Sequence, residues 1–315
     1  MKTIFLKFLS LFYLVFLATN CNNDDNPTSI ENINEWVKEN SIPKDDLRLD
    51  ASVITYNNEA FLLPGKGGTR FSSKPEILKY SNNEWTRIAT YDGFADAGKS
   101  LSIRNNDVIY ILGGVNSSNA PTNEVRAYSI TNNTFSDETR FSAKANATYT
   151  ETKAYFGDNE IFSSFDFKTN NFESLPVIPS SESISSAMLT TENNIIYALF
   201  SSLETNNFFA FNENSKEWIQ LSDFPGGTRS DALIVSTKTD VYTGLGSNLS
   251  PLFDIWKYNI ETNKWFMFSE YSGTHFSSGF AFELNNQLFF GGGFTGGGSI
   301  SNDVLNDEVY SIKIK

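Results

Sequence analysis

Apolar residues come in short bursts along this chain, separated by runs of Asn, Thr, Ser, Gly and Asp, and no long helical period is sustained. Bursts bounded by turn formers predict short strands. Four segments, SVITYNNEAF, LSIRNNDVIY, MLTTENNIIY and AFELNNQLFF, set a tight polar turn between two apolar runs. They predict hairpins with Asn-rich turns.

The bursts also repeat, and the stretch Trp218 to Gly246 shows the unit most fully: an aromatic-led strand, a Pro-Gly-Gly corner, an apolar strand, a polar turn and a strand ending in glycines. An aromatic followed six residues later by a large apolar residue occurs six times, at Trp36/Ile42, Trp85/Tyr91, Phe135/Phe141, Phe172/Ile178, Trp218/Phe224 and Trp265/Tyr271. The even spacing predicts a strand with both residues on one packed face. A second aromatic follows each leader at Phe61, Tyr110, Tyr155, Tyr197, Tyr242 and Phe289, at offsets of 25, 25, 20, 25, 24 and 24. Only the third copy is short, and this predicts a side of the molecule turned toward a partner. A third aromatic precedes the leader by seven residues at Tyr128, Phe165, Phe211 and Tyr258 and by five at Tyr80, while Tyr310 lies near the chain end.

Three aromatic strands and an apolar one make a four-stranded unit, and such units repeated at this period are propeller blades. The last unit stops before its fourth strand, whereas Trp36 to Pro43 precedes any unit. The predicted fold is therefore an all-β, six-bladed propeller over residues 33–315 whose last blade is closed by the N-terminal strand. Closure of this kind removes sheet edges. INEWVKEN also fits an amphipathic helix, but the matching offsets from Trp36 to Phe61 and Trp85 to Tyr110 favour the strand.

The order apolar strand, glycine-ended strand (Gly113-Gly114, Gly244 and Gly246, Gly291 to Gly293), Tyr strand, Trp strand resembles the Kelch repeat. Phe224 to Trp265 carries the resemblance best; the copies at Ala143 to Phe172 and Leu189 to Trp218 lack the paired glycines. The secreted Kelch sialate epimerases share the frame and the FPGG-x-Arg corner at Phe224 to Arg229. That resemblance implies, as an alternative, a metal-independent carbohydrate-active enzyme.

Residues 1–20 have lysines at 2 and 7 and an apolar run, the features of a secretory signal. The only cysteine, Cys21, follows at once and resembles the lipidated first residue of a bacterial lipoprotein, with residues 21–32 as a polar, acidic tether. An uncleaved signal anchor is the other use of such a run. The expected place is the bacterial cell envelope, lipid-anchored at the outer membrane and exposed at the surface, with the anchor as the sole membrane contact. The formal charge of −13 becomes −15 once both lysines leave with the signal, which disfavours nucleic acid and anionic membrane surfaces.

In an up-and-down blade the inter-blade links and the loops between second and third strands share one face, opposite the Asn-rich turns. These longer, Gly- and Ser-rich segments are the expected site for a glycan or surface-protein ligand. Four residues stand out as ligand-binding candidates. Arg229 follows the Pro-Gly-Gly corner, where it could bind a carboxylate or sugar hydroxyls or tie adjacent blades to backbone carbonyls. Arg70 lies in a loop and Asp96 beside a comparable corner, where a turn role competes. His275, the only histidine, has a suitable intrinsic pKa for a base and an ordinary loop role beside it. The leading tryptophans are read as blade core. One His and one Cys cannot supply a copper or zinc site, and phosphate-loop, Ser/His/Asp and Asp-box patterns are missing, so no cofactor and no catalytic residue are implied.

Overall fold

The computed structural model describes residues 35–67, 73–91, 100–114, 120–200, 205–295 and 305–314, which belong to one compact unit, Asn34–Lys315. It is a six-bladed β-propeller of four-stranded antiparallel sheets. Blade 1 comprises Val53–Tyr56, Glu59–Leu62, Glu76–Ser81 and Glu84–Thr90, and blade 2 Leu101–Asn105, Val108–Leu112, Val125–Ser129 and Thr134–Asp137. Blade 3 comprises Asn146–Tyr149, Lys153–Asp158, Ile161–Asp166 and Asn171–Leu175, and blade 4 Met188–Glu192, Ile195–Leu199, Phe208–Asn212 and Glu217–Gln220. Blade 5 comprises Leu233–Ser236, Asp240–Gly244, Asp254–Asn259 and Lys264–Glu270. Blade 6 takes Phe280–Leu284, Gln287–Gly291 and Val309–Lys313 from the C-terminal end and its outermost strand, Val37–Lys38, from the N-terminal end. The first strands neighbour one another around a closed ring.

The ends of the chain meet through Val37 opposite Ser311 and Lys38 opposite Tyr310. Beyond that short strand, the N–H of Glu39 donates to Val309 O at 2.8 Å and that of Ile42 to Asp307 O at 3.0 Å. Pairing of the two ends leaves the last blade no shorter in strands than the others.

The predicted turns have a backbone reason. Asn57 and Asn58, Asn193 and Asn194, and Asn285 and Asn286 all have φ between 50° and 60°, as two-residue primed turns require, and Asn tolerates that region better than other side chains. Asn133 and Asn263 do the same in the turns between third and fourth strands, with φ of 54° and 52°. Each also accepts a hydrogen bond through Oδ1, from Tyr128 at 2.9 Å and Tyr258 at 2.8 Å. Burial pushes the Tyr258 hydroxyl up to about 12, so it stays a proton donor at neutral pH.

The aromatic repeat becomes a packing rule. The seven-residue spacing places Tyr128 opposite Phe135, Phe165 opposite Phe172, Phe211 opposite Trp218 and Tyr258 opposite Trp265 across third and fourth strands. The six-residue pair does not occupy one face of one strand, as its even spacing predicted. The outer strand ends before the second member, and the chain turns into the inter-blade link. Trp85 packs in the core between blades 6 and 1, while Tyr91 packs between blades 1 and 2. Trp218 and Phe224 divide likewise between the 3/4 and 4/5 interfaces, and Trp265 and Tyr271 between 4/5 and 5/6. Each of these three pairs thus grips both neighbours of its blade. All six second members, Ile42, Tyr91, Phe141, Ile178, Phe224 and Tyr271, are buried, whereas the leader Phe172 is 53% exposed.

Three tryptophans add a polar latch, because a half-buried indole N–H needs an acceptor. Trp265 donates to Ser222 O at 2.8 Å and Trp218 to Pro176 O at 2.8 Å, each just beyond the preceding blade's outer strand, and Trp36 to Glu270 O at 2.6 Å, the last residue of that strand.

Candidate functional site

The antiparallel order sends the inter-blade links and the loops between second and third strands to one face, as expected, and the two faces differ in how their polar groups are used. On the hairpin face the channel opens into a cavity of about 460 Å³ lined by Asn57, Asn58, Asn106, Asn285, Arg104 and Glu283, among others. Arg104 and Glu283 among them make local contacts. Arg104 donates to Asn106 O at 2.7 Å and lies over the rings of Tyr56 and Tyr149, at 4.9 and 5.7 Å. Glu283 accepts the backbone N–H of Asn286 at 2.8 Å. Turn geometry accounts for these asparagines.

Within the channel, the inner strands of blades 3, 4 and 5 are bridged by hydroxyls, Thr148 to Thr191 at 2.6 Å and Thr190 to Ser236 at 2.7 Å. Glu192 and Glu283 both line this 340 Å³ space. Burial raises the Glu192 carboxyl above its ordinary range; Lys238 opposes the rise and Glu283 adds to it.

The opposite face carries a rim built by a repeated clip. Leu49 and Lys66 exchange backbone hydrogen bonds at 2.9 and 3.0 Å, Ser230 and Ser247 at 2.9 Å each way, and Ser277 and Phe294 at 3.0 Å each way. In each case the link entering a blade is fastened to that blade's own loop between second and third strands, in blades 1, 5 and 6. The glycines that end the second strands make the clip possible. A Cβ on Gly246 would stand 2.2 Å from Ser230 O, and one on Gly293 2.2 Å from Ser277 O, with φ of +77° and +74°. Only glycine satisfies both conditions without strain.

Arg229 lies at the root of the blade 5 clip. It is 1% exposed, and it donates to both Asp254 carboxylate oxygens, at 2.8 and 2.9 Å, to Leu245 O at 3.1 Å and to Gly226 O. Its guanidinium stands over the Phe224 ring at 5.0 Å. Burial raises the Asp254 carboxyl, but hydrogen bonds from Arg229 and Trp256 outweigh it and hold the group below its ordinary range. This geometry is a tie between corner, loop and third strand.

Arg48 does the same work in blade 1 and was not singled out from the sequence. It is 1% exposed and donates to Asp46 O at 2.8 Å, Leu63 O at 3.2 Å and Glu76 O. The signal was present: Ile42-Pro43 leads to Arg48-Leu49-Asp50 much as Phe224-Pro225 leads to Arg229-Ser230-Asp231. Asp50 and Asp231 share a positive φ, 55° and 54°.

His275 sits in the link between blades 5 and 6, half-buried, with Nε2 3.0 Å from Gly246 O and its ring edge-on to Phe253. The structure thus brings His275 and Arg229 to adjacent carbonyls of the same loop, Gly246 O and Leu245 O. Arg70, Asp96 and Cys21 lie outside the described residues. Among the described residues no group of three His, Cys, Asp or Glu side chains is placed to hold a metal ion, and no helix is long and apolar enough to cross a membrane.

No family model and no curated protein matches this chain. The reading of its face therefore rests on its own geometry. Opposite the clipped arc stands blade 3, whose second and third strands are joined by Asn159 and Glu160 alone. Two clefts flank that turn, one of about 390 Å³ toward blade 2 and one of about 380 Å³ toward blade 4. Both fall in the size range of ligand pockets.

Proposed function

We propose that this chain is a cell-envelope-tethered binding module, a propeller of the Kelch kind that holds a glycan on its loop-bearing face. The observation that carries the reading is the inequality of the two faces. One is finished by tight turns whose left-handed backbone accounts for their asparagines; the other has a clipped rim with clefts beside it. Long loops fixed to a rigid scaffold are where recognition residues concentrate. The clips fix the bases of the loops in blades 1, 5 and 6 before any ligand arrives, which lowers the ordering cost of binding. The Kelch assignment is supported by the glycine-ended second strands and the Tyr and Trp strands that follow them. The tether is supported by the apolar leader before Cys21 and the polar residues after it.

The test is binding of the full chain in detergent micelles to a glycan panel that includes neutral and acidic sugars, with analysis of products for every ligand that binds. Saturable binding without turnover is the expected result; no saccharide binding at all sinks the reading. For the tether, Cys21→Ser is expected to move the protein from the membrane to the soluble fraction, and unchanged membrane recovery would refute lipidation.

A second reading, a metal-independent carbohydrate-active enzyme, is favoured by Glu192. A carboxyl whose pKa burial raises inside a channel suits a general acid. Turnover abolished by Glu192→Gln in the same panel would replace binding by catalysis.

A further inference from the structure

We propose that blade 3 is the open side of the loop face, across which an extended, neutral polysaccharide chain passes, with one cleft on either side of the Asp158–Ile161 turn holding consecutive sugar units. The inference rests on the glycan-binding reading above and adds the ligand's form.

The rim is uneven. The loop between second and third strands spans residues 63–75 in blade 1, 113–124 in blade 2, 200–207 in blade 4, 245–253 in blade 5 and 292–308 in blade 6, against 159–160 in blade 3. The link entering blade 3, residues 138–145, is the shortest between blades as well. In a ring of six, blade 3 stands across the axis from blade 6, the middle of the clipped arc. A ligand on this face meets fastened loops on one side and a two-residue turn on the other. That geometry suits a chain that continues past the rim more than a small molecule enclosed by it.

The walls of the notch have the mixed character that sugar rings require. On the blade 4 side, Ser180 and Ser181 supply hydroxyls beside the apolar Val177 and Ile178, and Val177 is 55% exposed. Hydroxyls serve sugar O–H groups, and apolar side chains cover C–H faces. On the blade 2 side, the exposed Pro121 offers an apolar surface beside the polar Asn123 and Lys144. Charge selects against an acidic polymer. Asp158, Glu160 and Glu182 line the two clefts against a single Lys144, on a chain whose formal charge is −13. A polyanion would meet repulsion at both subsites.

Two variants fill one cleft each: Ser181→Trp and Ala145→Trp, both at exposed positions. The full chain in detergent micelles is titrated with two-unit and eight-unit oligosaccharides of β-1,3-glucan, β-1,4-xylan and α-mannan. Far-ultraviolet dichroism and the unfolding midpoint verify the fold of each variant. The expected result is at least tenfold tighter binding of an eight-unit than a two-unit chain by the wild type, with that gain lost in each folded variant. Equal affinity for both lengths, or a length gain that survives both tryptophans, overturns the notch and leaves the binding module standing. Failure to bind any saccharide overturns both. Length-dependent binding of a control unstructured peptide in place of the sugars overturns the polysaccharide assignment.

Discussion

Replacing Arg229 by Met separates the two uses of this side chain, because Met keeps most of the stem volume and removes the guanidinium. The pair with Asp254 is two-pronged and its cation is fully enclosed, while the carboxylate is 22% exposed. Removing one member of a buried pair costs about 3–5 kcal/mol. The low end, about 3 kcal/mol, applies here, because Asp254 keeps the indole N–H of Trp256 at 2.5 Å and some access to water. A loss of that size lowers the unfolding midpoint by on the order of ten degrees. The pH dependence carries a further signature. In the wild type the folded Asp254 carboxyl is held below its unfolded value of roughly 3.9, so its contribution is complete above that pH and fades as the pH falls through the folded value. In the variant, burial acts with no cation to oppose it, the folded carboxyl rises above roughly 3.9, and protonation relieves the penalty. The gap between variant and wild type is therefore wider at pH 7 than at pH 4. Urea unfolding followed by tryptophan fluorescence at both pH values measures it. An unchanged midpoint together with lost glycan binding would refute the tie and make Arg229 a ligand contact.

Gly246→Ala and Gly227→Ala form a matched pair, since both glycines have φ of +77° but only Gly246 faces a close backbone oxygen. Gly227→Ala is expected to cost about 1 kcal/mol from the left-handed backbone alone, and Gly246→Ala about 2–3 kcal/mol as the clip is forced apart; equal losses in urea unfolding would contradict the clip. Trp265→Phe keeps the ring packing against Phe208 and Tyr258 and loses the bond to Ser222 O, so a loss of about 1 kcal/mol is expected, with no change counting against the latch. Glu192→Gln removes a carboxyl whose folded pKa is raised, which penalises the wild type as the pH climbs past the unfolded value of roughly 4.3. The variant should be the more stable of the two at pH 7 and lose that advantage near pH 4, and a reversed trend would contradict the raised value.

The blade count and its closure were legible because both follow from spacing. Seven residues between Tyr258 and Trp265 are what two strands and a short turn need to bring the rings opposite, and Trp36 could be assigned to the last blade because its offset to Phe61 matched the others. The division of each six-residue pair between two interfaces was not legible. Alternation assumes the strand continues, and the point where Val37–Lys38 or Glu217–Gln220 stops is set by hydrogen bonding to a neighbour distant in sequence. Arg229 could be read as poised for either a ligand or a tie, since its corner says where the backbone goes and nothing about Asp254, a residue two strands later. Arg48 escaped notice because blade 1 lacks the Pro-Gly-Gly that drew attention to blade 5. Glu192 ends an ordinary strand, and only the ring brings it near Glu283.

The clips explain why the rim is uneven. The ring is covalently continuous everywhere except at blade 6, where closure depends on two paired residues and the segment beyond them. Among the described residues the clips stand on blades 5, 6 and 1, and two further bonds, from Asp50 N to Ser278 O at 2.9 Å and from Gly293 N to Arg48 O at 3.2 Å, join the loops of blades 6 and 1 across that junction. Those loops therefore brace the place where two chain ends must be held together. Blade 3 is farthest from the junction, and its two-residue turn is held instead by the link entering blade 4, where Ser183 Oγ donates to Asn159 O at 2.8 Å and the N–H of Asn159 donates to Ser185 Oγ at 2.7 Å. The demand for closure on one side and the freedom from it on the other produce a face that is walled where the chain ends meet and open across from them.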